Sequence, residues 1–121
     1  MRKLFLGIGL LLSILFILAL RPVPILNEAE CQSVSGTLEN LHEGPGYDLV
    51  LKLEEDSRRF YINRGLEQGL DLVELKRTLL GKEIKLKYPD HWTPLDPFNE
   101  TIHVSILEFE GKKLYDETPQ R

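Results

Sequence analysis

The stretch YDLVLKLEE, residues 47–55, carries the clearest strand pattern in this chain of 121 residues. Polar side chains alternate with apolar ones, and the shared apolar face is formed by Tyr47, Leu49, Leu51 and Leu53. A period of two residues is typical of a half-buried β-strand. After the turn sequence EDS, RRFYINR (58–64) repeats the pattern and places Phe60 and Ile62 inward. The two stretches therefore predict a pair of adjacent strands.

The same periodicity extends in both directions and changes once. Upstream, SVSGTLENL (33–41) alternates and ends at the turn sequence EGPG (43–46). Downstream, GLDLVELKRTLLG (69–81) has leucines at helical spacing. Asp71 is a predicted N-cap with Glu74 as its capping-box partner, and Gly81 is a predicted helix end.

Two further strand patterns follow this helix. KEIKLKY (82–88) alternates lysines with apolar residues, and TIHVSILEFEG (101–111) places Ile102, Val104 and Ile106 inward. A short KKLYD segment comes after them. The predicted order is therefore three strands, one helix and two strands, which indicates a mainly β domain with one helix.

This order of elements is that of an OB-fold, a small five-stranded barrel. With VSGTL as the first strand and LLGKEIKLKY joining helix to fourth strand, residues 33–116 resemble small exported or membrane-anchored OB-fold-like domains of bacteria. The resemblance implies a ligand surface across strands two and three, framed by the loops joining strands one to two and four to five. The element order alone also fits an SH3-like barrel or an α+β open sheet.

The N-terminal segment predicts a membrane anchor. Residues 4–20 carry no charge, and as a helix they are about 25 Å long, enough for a thin bilayer. A cleaved secretory signal is the less favoured alternative, because no small-x-small pair precedes a cleavage point near Ala19. Arg2 and Lys3 predict a cytoplasmic N-terminus, which puts the C-terminal domain in the periplasm or outside the cell.

The predicted organisation is an anchor or uncleaved signal helix (1–21), a proline-containing stalk (22–32), the β domain (33–116) and a tail (117–121). Gly9 and Ser13 form a small-x-x-x-small pair that predicts a helix-packing surface in the anchor. Cys31, the only cysteine, is expected to be a free thiol in the stalk.

The charge of the exported part argues against nucleic acid as a partner. Removing residues 1–21 takes away three of the fifteen basic residues and none of the nineteen acidic ones, which leaves a net charge of −7. Phosphate backbones are bound through Lys and Arg, so this balance disfavours them.

The loop YPDHWTPLDPFNETIHV, residues 88–104, has the composition that most resembles a metal or ligand site. Its candidate metal ligands match no compact motif, and its prolines keep the chain extended; they are Asp90, His91, Asp96 and Glu100. The favoured interpretation is structural: Trp92, Leu95 and Phe98 cover an open end of the barrel. The histidines, His42, His91 and His103, are then polar surface residues, and no metal or cofactor is predicted.

The candidate binding surface combines the outward side of the third predicted strand, 58–64, with this loop. Its members are Arg59, Tyr61, Asn63, Arg64, His91 and Trp92. An exposed tyrosine between arginines can stack on a base or sugar or anchor a peptide. The alternative is a solvated face whose arginines pair with Glu54 and Glu55.

No sequence motif of a hydrolase, metalloprotease, redox enzyme or phosphate-binding loop is found. The sequence therefore predicts a membrane-anchored, non-enzymatic binding or scaffolding domain of the cell envelope, whose partner is a membrane or envelope protein. The alternative is an oligosaccharide- or oligonucleotide-binding module, with a shared groove for Tyr61 and Trp92 as the feature that would favour a glycan. A metal-dependent enzyme is the least favoured interpretation.

Overall fold

The structure, a computed structural model, describes residues 1–119. Two α-helices lie in this range, α1 (Arg2–Leu20) and α2 (Leu72–Leu79). The strands of the described residues are β1 (Gln32–Glu43), β2 (Leu49–Leu53), β3 (Arg59–Ile62), β4 (Glu83–Tyr88), β5 (Thr101–His103), β6 (Ile106–Phe109) and β7 (Lys112–Asp116). Single 3-10 turns occupy Glu28–Glu30, Pro45–Tyr47 and Gly65–Glu67.

The seven strands form one mixed, open sheet in the order β5-β3-β2-β1-β4-β6-β7. All neighbours are antiparallel except β3 and β5, which are parallel. This confirms a mainly β chain with one helix following an apolar N-terminal helix. The sheet has two strands more than predicted, because the last predicted strand is divided into β5 and β6 and the KKLYD segment forms β7.

Strand β1 connects the two halves of the sheet. Its first half, Gln32–Thr37, pairs with β4, and its second half, from Leu38 onward, pairs with β2. The register shifts between Leu38 and Asn40. Such an irregularity bends a strand and increases its twist. One continuous strand of 12 residues can therefore serve two neighbours on different parts of its length.

The core is made by the leucine-rich faces that the alternation predicts. Phe60 and Ile62 of β3 are buried as expected, together with the leucines Leu38, Leu41, Leu49, Leu51 and Leu53. Helix α2 adds Leu75 and Leu79 to the same cluster. Val50 is also buried, so β2 is covered on both faces rather than on one.

The start of α2 agrees with the predicted cap only in part. The carboxylate of Asp71 accepts the backbone N–H groups of Val73 at 2.9 Å and Glu74 at 3.2 Å, which confirms the N-cap. The capping box is wrong, because the Glu74 carboxylate binds Arg77 instead of returning to the Asp71 backbone. At the other end Gly81 takes a φ of +76° and terminates the helix as expected.

Tyr47 does not share the inward face of β2. Its side chain is 58% exposed, and β2 begins two residues later, at Leu49. The reason is the turn before it: Gly46 and Tyr47 both have positive φ, 67° and 65°, which is incompatible with an extended strand.

The final predicted strand is interrupted at Val104 and Ser105. Ile102, Val104 and Ile106 are buried as predicted, and Ser105 and Leu107 are buried too. Strand β5 pairs with β3, whereas β6 pairs with β4. A chain that changes partner in this way is enclosed on both faces, and a simple alternation does not describe it.

The first residues of the predicted tail, Glu117 and Thr118, pack against the β domain. The backbone N–H of Glu117 donates to the Ser105 carbonyl at 3.0 Å, and Thr118 is only 6% exposed. The last two residues of the predicted tail, 120 and 121, lie outside the described residues.

Truncating Leu79 to alanine should strongly destabilise the domain. Leu79 is fully buried where α2 meets the sheet, and emptying such a site costs about 2–5 kcal/mol of unfolding free energy. Val73 on the same helix is 76% exposed, so Val73→Ala should change that free energy by less than about 0.5 kcal/mol. Urea unfolding of the full chain in detergent, followed by circular dichroism, measures both; similar values for the two variants would contradict the placement of α2.

Candidate functional site

A cavity of about 410 Å³ lies where the end of α1 meets the β domain. Ala19, Arg21 and Val23 form its N-terminal wall, and the loop between β4 and β5 forms another. The sheet contributes Tyr61 from β3 and His103 from β5. A cavity of this size accommodates a small ligand or a few side chains of a partner segment.

The predicted binding residues are divided by the fold. Tyr61 and His91 line the cavity. Trp92 is adjacent: its carbonyl accepts from the Arg21 guanidinium at 2.5 Å, and its indole N–H donates to the Pro97 carbonyl at 3.1 Å. Its ring is not among the lining groups of the described residues, so Tyr61 and Trp92 do not present their rings to one groove there.

The other three predicted residues lie away from the cavity lining. Arg59 is exposed on β3, and Asn63 and Arg64 follow the strand in an exposed turn. Arg64 has a left-handed φ of 51°, and its backbone N–H donates to the Asp48 carboxylate at 2.8 Å. The Asn63 carbonyl accepts from the Gln68 side chain at 2.8 Å. These contacts hold the turn after β3 in place.

Arg58 lines the cavity although the sequence analysis did not single it out. Its guanidinium binds both carboxylate oxygens of Asp56, at 3.1 and 2.9 Å, and donates to the Tyr88 hydroxyl at 3.2 Å. It also lies over the Phe60 and Tyr88 rings, at 5.1 and 5.8 Å from their centroids. The sequence feature that could have indicated this pair is the Asp-x-Arg spacing, because an Asp side chain commonly accepts the backbone N–H two residues on. Here the Arg58 N–H donates to the Asp56 carboxylate at 2.9 Å.

The Arg58–Asp56 pair is firmly ionised. The hydrogen bond from Arg58 is the main reason why the pKa of Asp56 lies below its usual value, against the opposing effect of burial. The same bond raises the pKa of Arg58. Because two aromatic faces and a carboxylate fix the guanidinium, it is a positively charged group of fixed position in the cavity wall.

His103 is not the surface residue that the sequence predicted. Its side chain is only 12% exposed, and its Nε2 lies 2.6 Å from the carboxylate of Glu117. The same carboxylate accepts the Ser105 hydroxyl at 2.7 Å and lies 3.4 Å from the Tyr115 hydroxyl. The Tyr61 ring meets the His103 ring edge-on, with centroids 5.4 Å apart. This network was missed because Glu117 was assigned to the tail.

The surroundings of the cavity shift three titrating groups. Burial raises the pKa of Glu117, but the hydrogen bonds from His103 and Ser105 outweigh it, so the net shift is downward. Burial, followed by the charges of Arg21 and His103, lowers the pKa of His91. Burial is also the main cause of the raised pKa of Tyr61. Near neutral pH the cavity therefore presents a neutral imidazole and a neutral phenol as hydrogen-bonding groups.

The four candidate metal ligands of the loop do not converge. The two carboxylate oxygens of Asp96 accept the backbone N–H groups of Glu100 at 2.9 Å and Thr101 at 2.8 Å. Within residues 1–119, no group of three His, Cys, Asp or Glu side chains is placed to hold a metal ion. Asp96 instead fixes the chain where the loop enters β5.

The loop does not cover an end of the sheet either. Leu95 is 77% exposed, Phe98 is 82% exposed and Trp92 is 41% exposed, so the predicted capping role of these residues is wrong. The prolines do not keep the chain extended as predicted: Pro94 and Pro97 each lie in a tight turn, closed by the Asp96 N–H on the Thr93 carbonyl at 3.1 Å and by the Asn99 N–H on the Asp96 carbonyl at 3.2 Å. The bonds to the Asp96 carboxylate fix the base of the loop. The apolar side chains consequently point away from the core.

Among the described residues, α1 alone is long and apolar enough to cross a membrane, with a mean hydropathy of 2.5 and no buried residue. Secretory signals share this length and composition. Within α1, the Ser13 hydroxyl donates to the Gly9 carbonyl at 2.8 Å, one turn away. The small pair therefore stays a predicted packing surface.

The linker between α1 and β1 is held against the sheet. Glu28 forms ion pairs with Lys87 of β4 at 2.6 Å and with Lys113 of β7 at 2.5 Å. Hydrogen bonds from these lysines lower the pKa of Glu28, and the bond from Lys113 has the larger effect. Cys31 is half-buried, and burial raises its pKa, which favours an unreactive thiol over a thiolate. The segment that the sequence predicted as a stalk is therefore docked at Glu28.

No protein-family model matches this chain, and no curated protein is similar to it in sequence.

Replacing Glu117 with glutamine should remove a stabilising, pH-dependent contribution. Because folding lowers the pKa of Glu117, its stabilisation is fully present above the usual value of 4.5 and is lost as the pH falls through the folded value. Losing hydrogen bonds to a charged group costs about 1–3 kcal/mol of unfolding free energy at neutral pH. The difference between wild type and Glu117→Gln should shrink below about pH 4.5.

Thermal unfolding of the full chain across this pH range, in detergent, measures the difference. Glu54→Gln is the matched control, because Glu54 is an exposed carboxylate outside the network. A wild-type advantage over Glu117→Gln that stayed constant down to pH 3 would contradict an ionised Glu117 at the centre of this network.

Proposed function

We propose that this chain is a membrane-anchored, non-enzymatic binding domain of the cell envelope. Helix α1 lies in the bilayer with its N-terminus on the cytoplasmic side, where Arg2 and Lys3 favour it. The observation that carries the proposal is the cavity itself, because the end of α1 and the β domain build it jointly. A partner bound there is held at the membrane surface.

The chemistry of the cavity suits recognition of a protein segment. Val23 and Ile102 supply apolar contacts, and Tyr61 and His91 supply neutral hydrogen-bonding groups. The lining thus combines apolar side chains with a larger number of polar ones, and polar groups of fixed position give a binding site its specificity. The net charge of −7 on residues 22–121 favours a partner that is not itself strongly acidic.

The arrangement of the acid–base groups supports binding over catalysis. The Glu117 carboxylate is engaged by His103 and Ser105, and Ser105 is fully buried. The Arg58 guanidinium is engaged by Asp56. These groups bind one another and stiffen the cavity walls.

We also propose that β1 to β6 close into a five-stranded, OB-like barrel in which β5 and β6 act as one strand. Two hydrogen bonds support closure. The Val104 N–H donates to the Tyr61 carbonyl of β3 at 2.8 Å, and the Ser105 N–H donates to the Lys87 carbonyl of β4, also at 2.8 Å. Consecutive residues thus bind β3 and β4, the two outer strands of the run β3-β2-β1-β4. The parallel β3–β5 pair and the helix between β3 and β4 further support it.

Hydrogen–deuterium exchange tests the closure. In a closed barrel the amides of Val104 and Ser105 should exchange only on global unfolding, as core amides do. The exposed Lys82, in the turn after α2, and Glu110, in the turn between β6 and β7, supply reference amides for local opening. Fast exchange at either Val104 or Ser105, with slow exchange in β2, would show that the junction opens as a free edge.

Photo-crosslinking in intact cells tests the binding function. A photoreactive amino acid at His91, which lines the cavity, should give a discrete adduct with one membrane or envelope protein. The matched control places the same group at Lys76 on the exposed side of α2. Tyr61→Ala should lower the adduct yield roughly tenfold, as truncating a binding tyrosine commonly does.

Three results would contradict the proposal. The first is no adduct from His91 while the chain is folded and membrane-inserted. The second is equal adducts from His91 and Lys76, which would indicate random proximity. The third is an adduct with a protein confined to the cytoplasm, which would reverse the proposed orientation.

A further inference from the structure

The strongest unexplained feature of the described residues is a group of large apolar side chains exposed on one loop. We define the loop patch as Trp92, Leu95 and Phe98, whose exposed fractions are 41%, 77% and 82%. Three large apolar side chains within seven residues on one exposed loop indicate an interaction surface.

The patch lies beside the end of the membrane-spanning segment. The Arg21 guanidinium donates to the Trp92 carbonyl at 2.5 Å, one residue after α1 ends at Leu20. Leu95 lines the same cavity as Ala19 of α1. A helix of 19 residues is about 28 Å long and only just spans the hydrocarbon core, so its last residues lie at the interface.

Several backbone groups of the loop are already paired or lack an N–H, which lowers the penalty for entering a bilayer interface. Pro94 and Pro97 have no N–H group. Five backbone N–H groups donate hydrogen bonds within the loop, those of Leu95, Asp96, Asn99, Glu100 and Thr101. The Trp92 indole N–H is bonded as well, to the Pro97 carbonyl. Polar groups already paired within the segment carry a much smaller penalty on leaving water.

We infer that the loop patch is a second membrane contact, with Trp92 at the headgroup level and Leu95 and Phe98 directed toward the hydrocarbon. This inference rests on the proposed anchoring of α1, and it specifies how the domain sits on the bilayer. Tryptophan is enriched at this depth because its ring is amphipathic. The part of the chain outside α1, residues 22–121, has a net charge of −7, so it fits a zwitterionic surface and is repelled by an anionic one.

The single tryptophan of the chain makes a direct test available. The full chain is reconstituted into vesicles of phosphatidylcholine, with or without bromine near the upper part of the acyl chains. Brominated lipid should quench roughly half of the Trp92 emission, as for an interfacial tryptophan. In Leu95→Glu/Phe98→Glu the same quenching should largely disappear, because charges lift the loop into water.

Val73→Glu is the control, because Val73 is an equally exposed apolar residue on α2, at 76% exposure; its quenching should match wild type. Flotation with vesicles after alkaline extraction measures the anchoring by α1 separately. A chain that stays with the vesicles but shows no lipid quenching of Trp92 overturns the loop contact and leaves the anchoring intact. A chain extracted from the vesicles overturns both.

Other occupants of the patch give different signals. Trp92 emission that depends on the protein-to-lipid ratio, and not on bromination, would indicate that a second copy of the chain covers the patch. Emission quenched freely by aqueous iodide in both vesicle types would indicate that the patch stays in water. Either result overturns the inference.

Discussion

The change of partner along β1 is the constraint on which the domain depends. At Leu38 the strand leaves β4 and turns to β2, and its backbone groups are engaged there by the turn after α2. The Leu38 N–H donates to the Lys82 carbonyl and the Leu38 carbonyl accepts from the Gly81 N–H, both at 2.9 Å. Because buried backbone groups need partners, the bend in β1 and the end of α2 stabilise each other. The position of the helix, the leucine core and the cavity wall formed by β3 all follow from this junction.

Much of the fold could be predicted because its signals are local. The alternation in β2 and β3, the Asp71 cap and the Gly81 helix end each depend on residues within a few positions of one another. The errors have non-local or conformational causes. Tyr47 leaves the strand because the residues before β2 adopt positive φ, and the last strand divides because its two halves have different neighbours.

The candidate site was less predictable for the same reason. Tyr61 and His91 were singled out, but their surroundings come from distant parts of the chain: Arg21 lines the same cavity, and Glu117 binds His103, whose ring meets that of Tyr61. His103 contacts Glu117 only because the antiparallel pair of β6 and β7 brings Glu117 back beside Ser105. Hydrophobicity alone also predicts that Leu95 and Phe98 are buried in the protein, although a stiff loop with internally bonded amides holds them outside.

The docking of Glu28 has a consequence for how the domain moves. The segment joining α1 to β1 is held at Arg21 by Trp92 and at Glu28 by two lysines. A free linker would let the domain swivel and sample a hemisphere of positions above the bilayer. In the proposed membrane arrangement this segment instead acts as a bracket that fixes the height and tilt of the cavity. Under that proposal, lateral diffusion in the plane of the membrane becomes the main search motion, and a partner must present its segment at the same height.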